Sequence, residues 1–172
     1  MEKYVPDIYQ KSIYTINYEK LKKNDIKCLL LDLDNTIIPS GTDVVSKKLQ
    51  DFINDLKKDF TIILFSNAFE KRVKKVANIL EIDYYALAFK PNTKKFKHLI
   101  KKYKLQEYEI AIIGDQLLTD IVGGNKLGIT TILVNPISNS DSILTRINRA
   151  LERRKMKKLY RKGLFTKGKY YE

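Results

Sequence analysis

Five apolar runs punctuate this chain, and most stop at a small set of reactive polar residues. Cys28-Leu29-Leu30-Leu31 reads as a buried β-strand that ends where Asp32-Leu33-Asp34-Asn35-Thr36 begins. Thr61-Ile62-Ile63-Leu64-Phe65 is β-branched and ends in Ser66-Asn67. Ala86-Leu87-Ala88-Phe89 is a short third strand ending in Lys90-Pro91, and Ile110-Ala111-Ile112-Ile113 a fourth ending in Gly114-Asp115-Gln116. Thr130 to Val134 is the fifth, closed by Asn135-Pro136. Helical periods fill the gaps. Ser46 caps a helix running to about Lys58, with Leu49, Phe52, Ile53 and Leu56 on one face. Phe69 to Leu80 forms the next, turning Val73, Val76, Ala77 and Leu80 inward. Thr93 caps a third that carries Phe96, Leu99, Ile100 and Tyr103, and Leu117 to Leu127 is a fourth, stopped by Gly128. Asp141 or Ser142 starts a long C-terminal helix, with Ile143, Leu144, Ile147 and Leu151 expected to pack on the sheet. Residues 1–25 are a Tyr-rich N-terminal extension with weak periodicity and one short helix around Tyr18 to Lys23. Strands alternating with helices imply an α/β fold: a doubly wound, mostly parallel sheet in a single domain over residues 1–172.

On a parallel sheet the carboxyl ends of the strands share one edge, and open α/β folds hold their ligands there. Asp32 and Asp34, Ser66, Lys90, then Asp115 and Asp120 would converge on that edge. Paired carboxylates at the end of a buried strand are costly unless something cationic holds them. A nucleophilic carboxylate with a second acid, a hydroxyl, an ammonium and a further carboxylate pair is a complete inventory for phosphoryl transfer through an aspartyl-phosphate. Each part has a plainer reading: an Asp/Asn turn, a helix cap at Ser66, a surface lysine at Lys90, an exposed helical acid at Asp120. The four sets in series favour chemistry. His98 sits among Lys94, Lys95, Lys97, Lys101 and Lys102 on a solvated face and is given no role.

These motifs, in this order from Asp32 to Asp120, resemble those of the haloacid dehalogenase (HAD) superfamily: DxDxT, a strand-terminal Ser, a Lys and a GDxxxxD variant. The chain is similar to the small III-A phosphatases, in particular a YqeG-like group related to mitochondrial phosphatidylglycerophosphate phosphatase. The matching details are Asp32 to Thr36, Ser66-Asn67-Ala68, Gly114 to Asp120, a Gly123-Gly124-Asn125 turn, and the upstream Pro6-Asp7 and Ser12-Ile13-Tyr14. The resemblance implies that Asp32 attacks phosphorus, while Asp34 protonates the leaving alcohol and then activates water. It implies Mg²⁺ on Asp32, the Asp34 backbone carbonyl and Asp115, a set of hard oxygen ligands. Ser66 and nearby N–H groups would hold the phosphoryl oxygens, and Lys90 would neutralise Asp32 and the developing charge. Asp120 would orient a metal-bound water or Lys90, with Asn67 in a supporting place beside Ser66. Asn35 and Thr36 would shape the turn. In this superfamily, cap domains enter after the first motif or between the second and third. Thr36 to Ser66 has room for a loop, one helix and a strand, and Asn67 to Lys90 for one helix and a short strand. An uncapped, open site is the expectation, which suits a phosphate on a lipid head group, a protein or a nucleic acid.

Composition adds partners. The single cysteine excludes an intramolecular disulfide framework, and Cys28 reads as a small buried apolar residue. No apolar run approaches the ~20 residues needed to cross a bilayer, and Met1-Glu2-Lys3 opens no signal peptide. The expectation is a cytoplasmic protein, soluble or peripheral at the inner face of the membrane. Of the net charge of +13, residues 141–172 carry a large share, with 11 basic residues against Asp141, Glu152 and Glu172. Arg153-Arg154-Lys155, Lys157-Lys158 and Arg161-Lys162 alternate with Leu151, Met156, Leu159, Tyr160, Leu164 and Phe165. Such a helix and tail can lie on anionic lipid, each basic residue adding about 1 kcal/mol. It can equally hold RNA phosphates or be a solvated end. Two function classes follow: a Mg²⁺-dependent phosphomonoesterase acting on phosphatidylglycerophosphate, and an RNA- or ribosome-associated protein whose phosphatase site is secondary.

Overall fold

The structure, a computed structural model, describes residues 2–138 and 143–172, the last segment with side chains from 149 onward. Six strands form one sheet: β1 (Ile8–Gln10), β2 (Cys28–Leu31), β3 (Thr61–Phe65), β4 (Asp83–Tyr85), β5 (Ile110–Gly114) and β6 (Thr130–Val134). Their order is β1-β6-β5-β2-β3-β4, and every pair is parallel. The chain enters the sheet centre at β2, runs outward through β3 and β4, then returns to the other side of β2 at β5. The crevice of such a switch point is where α/β folds bind ligands. Here it lies between β2 and β5.

The central strands are buried on both faces, and their period of two divides the core. Leu29, Leu31, Ile62, Leu64, Ala111 and Ile113 point to one face, under α2 (Lys47–Leu56) and α3 (Glu70–Leu80). Cys28, Leu30, Ile63, Phe65, Ile110 and Ile112 point to the other, where Phe96 and Leu99 of α4 (Lys94–Tyr103) cover them. Ser46 caps α2 by accepting from Leu49 N–H at 3.2 Å. At α4 the capping oxygen comes from Asn92, which accepts from Lys94 N–H at 2.9 Å, and not from the expected Thr93. Burial pushes the Cys28 thiol up to about 12, as a buried apolar role requires.

Four expectations need correction. The strand expected at Ala86–Phe89 lies three residues earlier, at Asp83–Tyr85, in register with Ile63–Phe65. Leu87 and Phe89 have φ of 46° and 54°, values an extended strand cannot contain. The single helix expected over Leu117–Leu127 is a π-helical turn, Leu117–Ile121, followed by the short α5, Val122–Asn125. Gly123-Gly124-Asn125 is therefore helical and not a turn. Gly124 is needed because a Cβ there would strike Thr131 and Ile112 of the sheet. The N-terminal extension contains α1 (Tyr18–Lys23), as expected, and also the edge strand β1. Asp7 fixes that strand by accepting from Thr131 N–H at 2.8 Å and Thr131 Oγ1 at 3.0 Å.

The last correction concerns the C-terminus. Helix α6 spans Ile143–Arg161; its expected first residues, Asp141 and Ser142, lie outside the described residues, as do the side chains of Ile143, Leu144 and Ile147. Leu151, expected on the sheet, is 46% exposed. The buried apolar residues of the described part are Leu159 and Phe165, which join Tyr9, Leu117, Ile121 and Leu133 in a third cluster. Tyr171 then pairs with Tyr9 through N–H···O bonds of 2.9 and 3.0 Å. The basic end is built into the domain. Leu159→Ala or Phe165→Ala should cost about 2–5 kcal/mol of unfolding free energy, whereas Leu151→Ala should stay within about 0.5 kcal/mol. Urea denaturation of the three variants checks this ordering.

Candidate active site

β2 delivers Asp32 to the crevice, because Asp32 N–H continues the ladder onto Ile113 O at 2.9 Å. The chain then doubles back through Asn35, whose φ of 58° is left-handed, a conformation Asn tolerates well. The Asn35 amide oxygen accepts from Ser138 Oγ at 2.8 Å and Ser40 N–H at 3.2 Å, pinning the loop. Asn67 clamps the backbone of Lys90, accepting its N–H at 2.7 Å and donating to its carbonyl at 3.1 Å. That clamp aims the ammonium inward. Lys90 Nζ donates to Asp32 Oδ1 at 2.7 Å, Asp120 Oδ1 at 2.6 Å and Phe65 O at 2.8 Å, using the three donors it has. The π-helical turn after β5 brings Asp120 into reach, and Gly114 makes room, since a Cβ there would overlap the Asp120 carboxyl group.

Asp32, Asp115 and Asp120 place carboxylate oxygens within 4.8 Å of one another, all buried. Burial raises Asp32 to about 6, against the opposing pull of Lys90, and raises Asp115 well above the ordinary carboxylate range against the pull of Arg149. Burial alone would lower the Lys90 pKa, yet Asp120 and Asp32 reverse the sign and hold it above the usual lysine value. Thr36 Oγ1 stands 3.4 Å from both Asp32 Oδ2 and Asp115 Oδ1, bridging the two strands.

Ser66 is buried at the end of β3, with its oxygen accepting from Ala68 N–H at 3.1 Å; its own proton is not used in that bond. Asp34 stands apart from the three-carboxylate group. Its carboxylate is gripped by the Arg72 guanidinium, with NH1 3.0 Å from Oδ2, and also accepts from Gly41 N–H at 3.1 Å. His98 only meets the Tyr85 hydroxyl, at 3.0 Å.

Sequence reasoning missed Arg72, Arg149 and Glu152. Arg149 of α6 grips the Asp115 carboxylate, donates to its backbone carbonyl at 3.0 Å and reaches Glu152 Oε2 at 3.1 Å. Glu152, counted above as one acid in a basic tail, is buried and accepts from Leu118 N–H at 3.1 Å. An Arg-x-x-Glu spacing on a helix is too common to have marked them. Beside Asp115 opens a cavity of about 430 Å³ whose walls include Leu133, Pro136, Met156, Arg149, Arg153 and Lys167.

A buried carboxylate tied to a buried lysine, at the switch point of a parallel sheet with further acids beside it, fits a phosphatase of the HAD type. Solved structures agree on the fold: a HAD superfamily (subfamily III A) hydrolase from Legionella pneumophila superposes with a TM-score of 0.51 at 22% identity, over 71% of this chain and 75% of that one. A family model described as mitochondrial PGP phosphatase matches residues 1–138, and the chain belongs to that family. It is 38% identical to "Probable phosphatase YqeG" of Bacillus subtilis strain 168, over 93% of this chain and 94% of that protein. It is 28% identical to the chloroplastic/mitochondrial phosphatidylglycerophosphate phosphatase 1 of Arabidopsis thaliana, over 93% of this chain but 49% of that protein, so it spans about half of the plant protein.

Removing Lys90 tests the electrostatics. Lys90→Met leaves Asp32 and Asp120 buried without their ammonium and should destabilise the metal-free protein by about 3–5 kcal/mol at pH 7. Asp32, already raised by burial and now without the lysine's opposing pull, then holds its proton more tightly when folded than when unfolded, so the variant should regain stability as pH falls toward 5. Wild type should show a milder slope of the same sign: with Asp32 at about 6 against an ordinary 3.8, stability declines as pH rises across that window. Thermal melts of metal-free protein between pH 4 and pH 7 give both answers.

Proposed function

We propose that this protein is a Mg²⁺-dependent phosphomonoesterase working through an aspartyl-phosphate, and that it converts phosphatidylglycerophosphate to phosphatidylglycerol. The observation that carries the chemistry is the buried Lys90 shared by Asp32 and Asp120. With its neighbours it orients Asp32 and leaves Oδ2 of Asp32 out of the lysine bond. That oxygen attacks phosphorus, the bond to the leaving alcohol breaks, and Asp34 supplies the alcohol's proton. Asp34 then takes a proton from water, which attacks the acyl-phosphate and regenerates Asp32 with release of phosphate. For this, Asp34 must swing away from Arg72 and take up a proton from solvent before the first step. Their ion pair is bidentate and about three-quarters buried, so substrate binding has to offset its loss. Ser66 donates its hydroxyl to a phosphoryl oxygen.

The residues fit a hard divalent cation. Asp32, Asp115 and Asp120 bring three buried carboxylates against Lys90 and Arg149 as their ion-pair partners among the described residues, and all offer oxygen. Asp32, Asp115 and the Asp34 backbone carbonyl would hold Mg²⁺, which would neutralise charge on the transferring phosphoryl group. Arg149 would have to yield part of its grip on Asp115.

For the lipid, three features give support. A relative is named for that substrate. The cavity beside Asp115 joins cations to apolar walls, as a phosphodiester with acyl chains requires. Arg154, Lys157, Lys158, Arg161 and Lys162 form one basic stripe along α6, with Leu151 and Leu164 exposed nearby, as on a helix resting on anionic lipid. No helix of the described residues is long and apolar enough to cross a membrane. An RNA partner for the stripe remains the competing reading, and competition between RNA and anionic vesicles separates the two.

Asp32→Asn should lower kcat by about 10³-fold or more with an unchanged melting curve; retention of more than a few per cent of activity by clean protein would sink the nucleophile assignment. Asp115→Ala should shift Mg²⁺ activation to higher concentration, read from a Mg²⁺ titration after EDTA treatment. In a panel of phosphomonoesters, phosphatidylglycerophosphate should show the highest kcat/KM. Equal rates on sugar or nucleotide phosphates would remove the lipid from the proposal.

A further inference from the structure

Among the described residues Phe69, Val44 and Phe89, exposed by 79, 73 and 65%, are the most exposed large apolar side chains without a hydroxyl, and Ile137 follows Phe89 on the same edge at 50%. Each belongs to a different loop, yet all four loops leave the sheet at its carboxyl edge: Val44 after β2, Phe69 after β3, Phe89 after β4 and Ile137 after β6. Hydrogen bonds join the loops to one another. Arg72, one turn after Phe69, donates from Nε to Thr42 O at 2.7 Å, close to Val44 in the chain. Leu87 N–H donates to Ala68 O at 3.0 Å, and Ile137 N–H to Asn35 O at 2.9 Å. These loops leave the same edge of the sheet as the strand ends that carry Asp32 and Ser66.

Folding does not ask for these residues. Phe69 holds the N-cap position of α3, where it makes no capping bond and Ser or Asp would stabilise the helix more. Phe89 sits at a φ of 54°, where Asn or Gly is the easier choice. Large apolar groups clustered in the open, at positions that local backbone chemistry disfavours, mark a contact surface. Cations flank them: Lys95 Nζ lies 5.7 Å from the Phe89 ring, and Lys71 and Lys94 are exposed on the adjoining first turns of α3 and α4. Apolar tips with a basic surround complement an anionic bilayer surface.

We propose that this rim is a membrane-docking surface. Val44, Phe69, Phe89 and Ile137 enter the interfacial layer of an anionic bilayer, so that the site opens directly onto lipid head groups. The inference deepens the lipid-phosphatase reading and rests on it for the choice of partner. It differs from binding through the α6 stripe in fixing an orientation: the carboxyl edge of the sheet faces the membrane and the opposite edge faces water.

The chain contains no tryptophan, so a single introduced one reports on orientation. Phe69→Trp in the full-length protein should show a blue-shifted emission on vesicles of phosphatidylglycerol and phosphatidylcholine. Tyr108→Trp, before β5 on the opposite edge and 64% exposed in wild type, should show none. The pair Val44→Ser and Phe69→Ser should weaken vesicle partition by about tenfold or more, as loss of two buried apolar groups implies. Its p-nitrophenyl phosphate turnover should stay at the wild-type level, and Val44→Leu with Phe69→Leu should restore binding. Unchanged partition of the Ser pair, or equal shifts at both tryptophans, overturns the rim. So does a wild-type dimer that the Ser pair converts to monomer, since a second copy would then be the occupant. Rim-dependent vesicle binding with no turnover of any phosphomonoester leaves the rim standing and overturns the phosphatase reading of the site instead.

Discussion

The buried ammonium of Lys90 is the interaction on which the rest of the site depends. Its three donors meet a carboxylate from β2, a carboxylate from the turn after β5 and the terminal carbonyl of β3. Three strand ends are thereby tied to one atom. Without that charge, Asp32 and Asp120 would repel each other in a medium too poor in water to screen them. With it, the carboxylates are held at fixed places before any substrate arrives. Such preorganised charge is the main resource available to an enzyme of phosphoryl transfer.

The architecture serves that lysine at several removes. Parallel pairing of β2 with both β3 and β5 aligns the three strand ends, so that the groups following them meet without long loops. Asn67 then substitutes for strand pairing where the chain leaves β4, and Gly114 removes the one side chain that would block Asp120. The segment between Thr36 and Ser66 holds a loop, α2 and β3, and that between Asn67 and Lys90 holds α3 and β4. With nothing larger folded over the carboxyl edge, its loops present Phe69 and Phe89 directly to solvent.

Helix α6 changes the meaning of the basic C-terminus. Its inner face supplies Arg149 to Asp115 and Glu152 to the turn that carries Asp120, while Leu159 and Phe165 close the core over Tyr9. Its outer face keeps the cations of Arg154 to Lys162. One element therefore contributes both to the wall of the site and to the charged exterior. The electrostatics of the two are linked through a helix whose Leu159 is part of the buried cluster at that edge.

Much of this was legible in the chain itself. Apolar runs of four or five residues gave β2, β3, β5 and β6 because central parallel strands are buried on both faces, and residues 32–36, 66–67 and 114–120 stood at the ends of β2, β3 and β5, while Lys90 was expected at the end of a strand that forms earlier, at Asp83–Tyr85. Three-residue strands carry too little pattern: β1 and β4 exist because β6 and β3 offer them unpaired backbone. Local sequence also could not show that Leu117–Ile121 widens into a π-helical turn, since that depends on Asp120 finding Lys90, 30 residues away. The rotation of Asp34 toward Arg72 and the reach of Arg149 across 34 residues to Asp115 are likewise products of packing. Side-chain identity determined which chemistry was available, because charge and hydrogen-bonding capacity belong to the residue. Which groups share a proton, a charge or a wall was decided only by the tertiary structure, because those energies depend on distance and burial that no local pattern encodes.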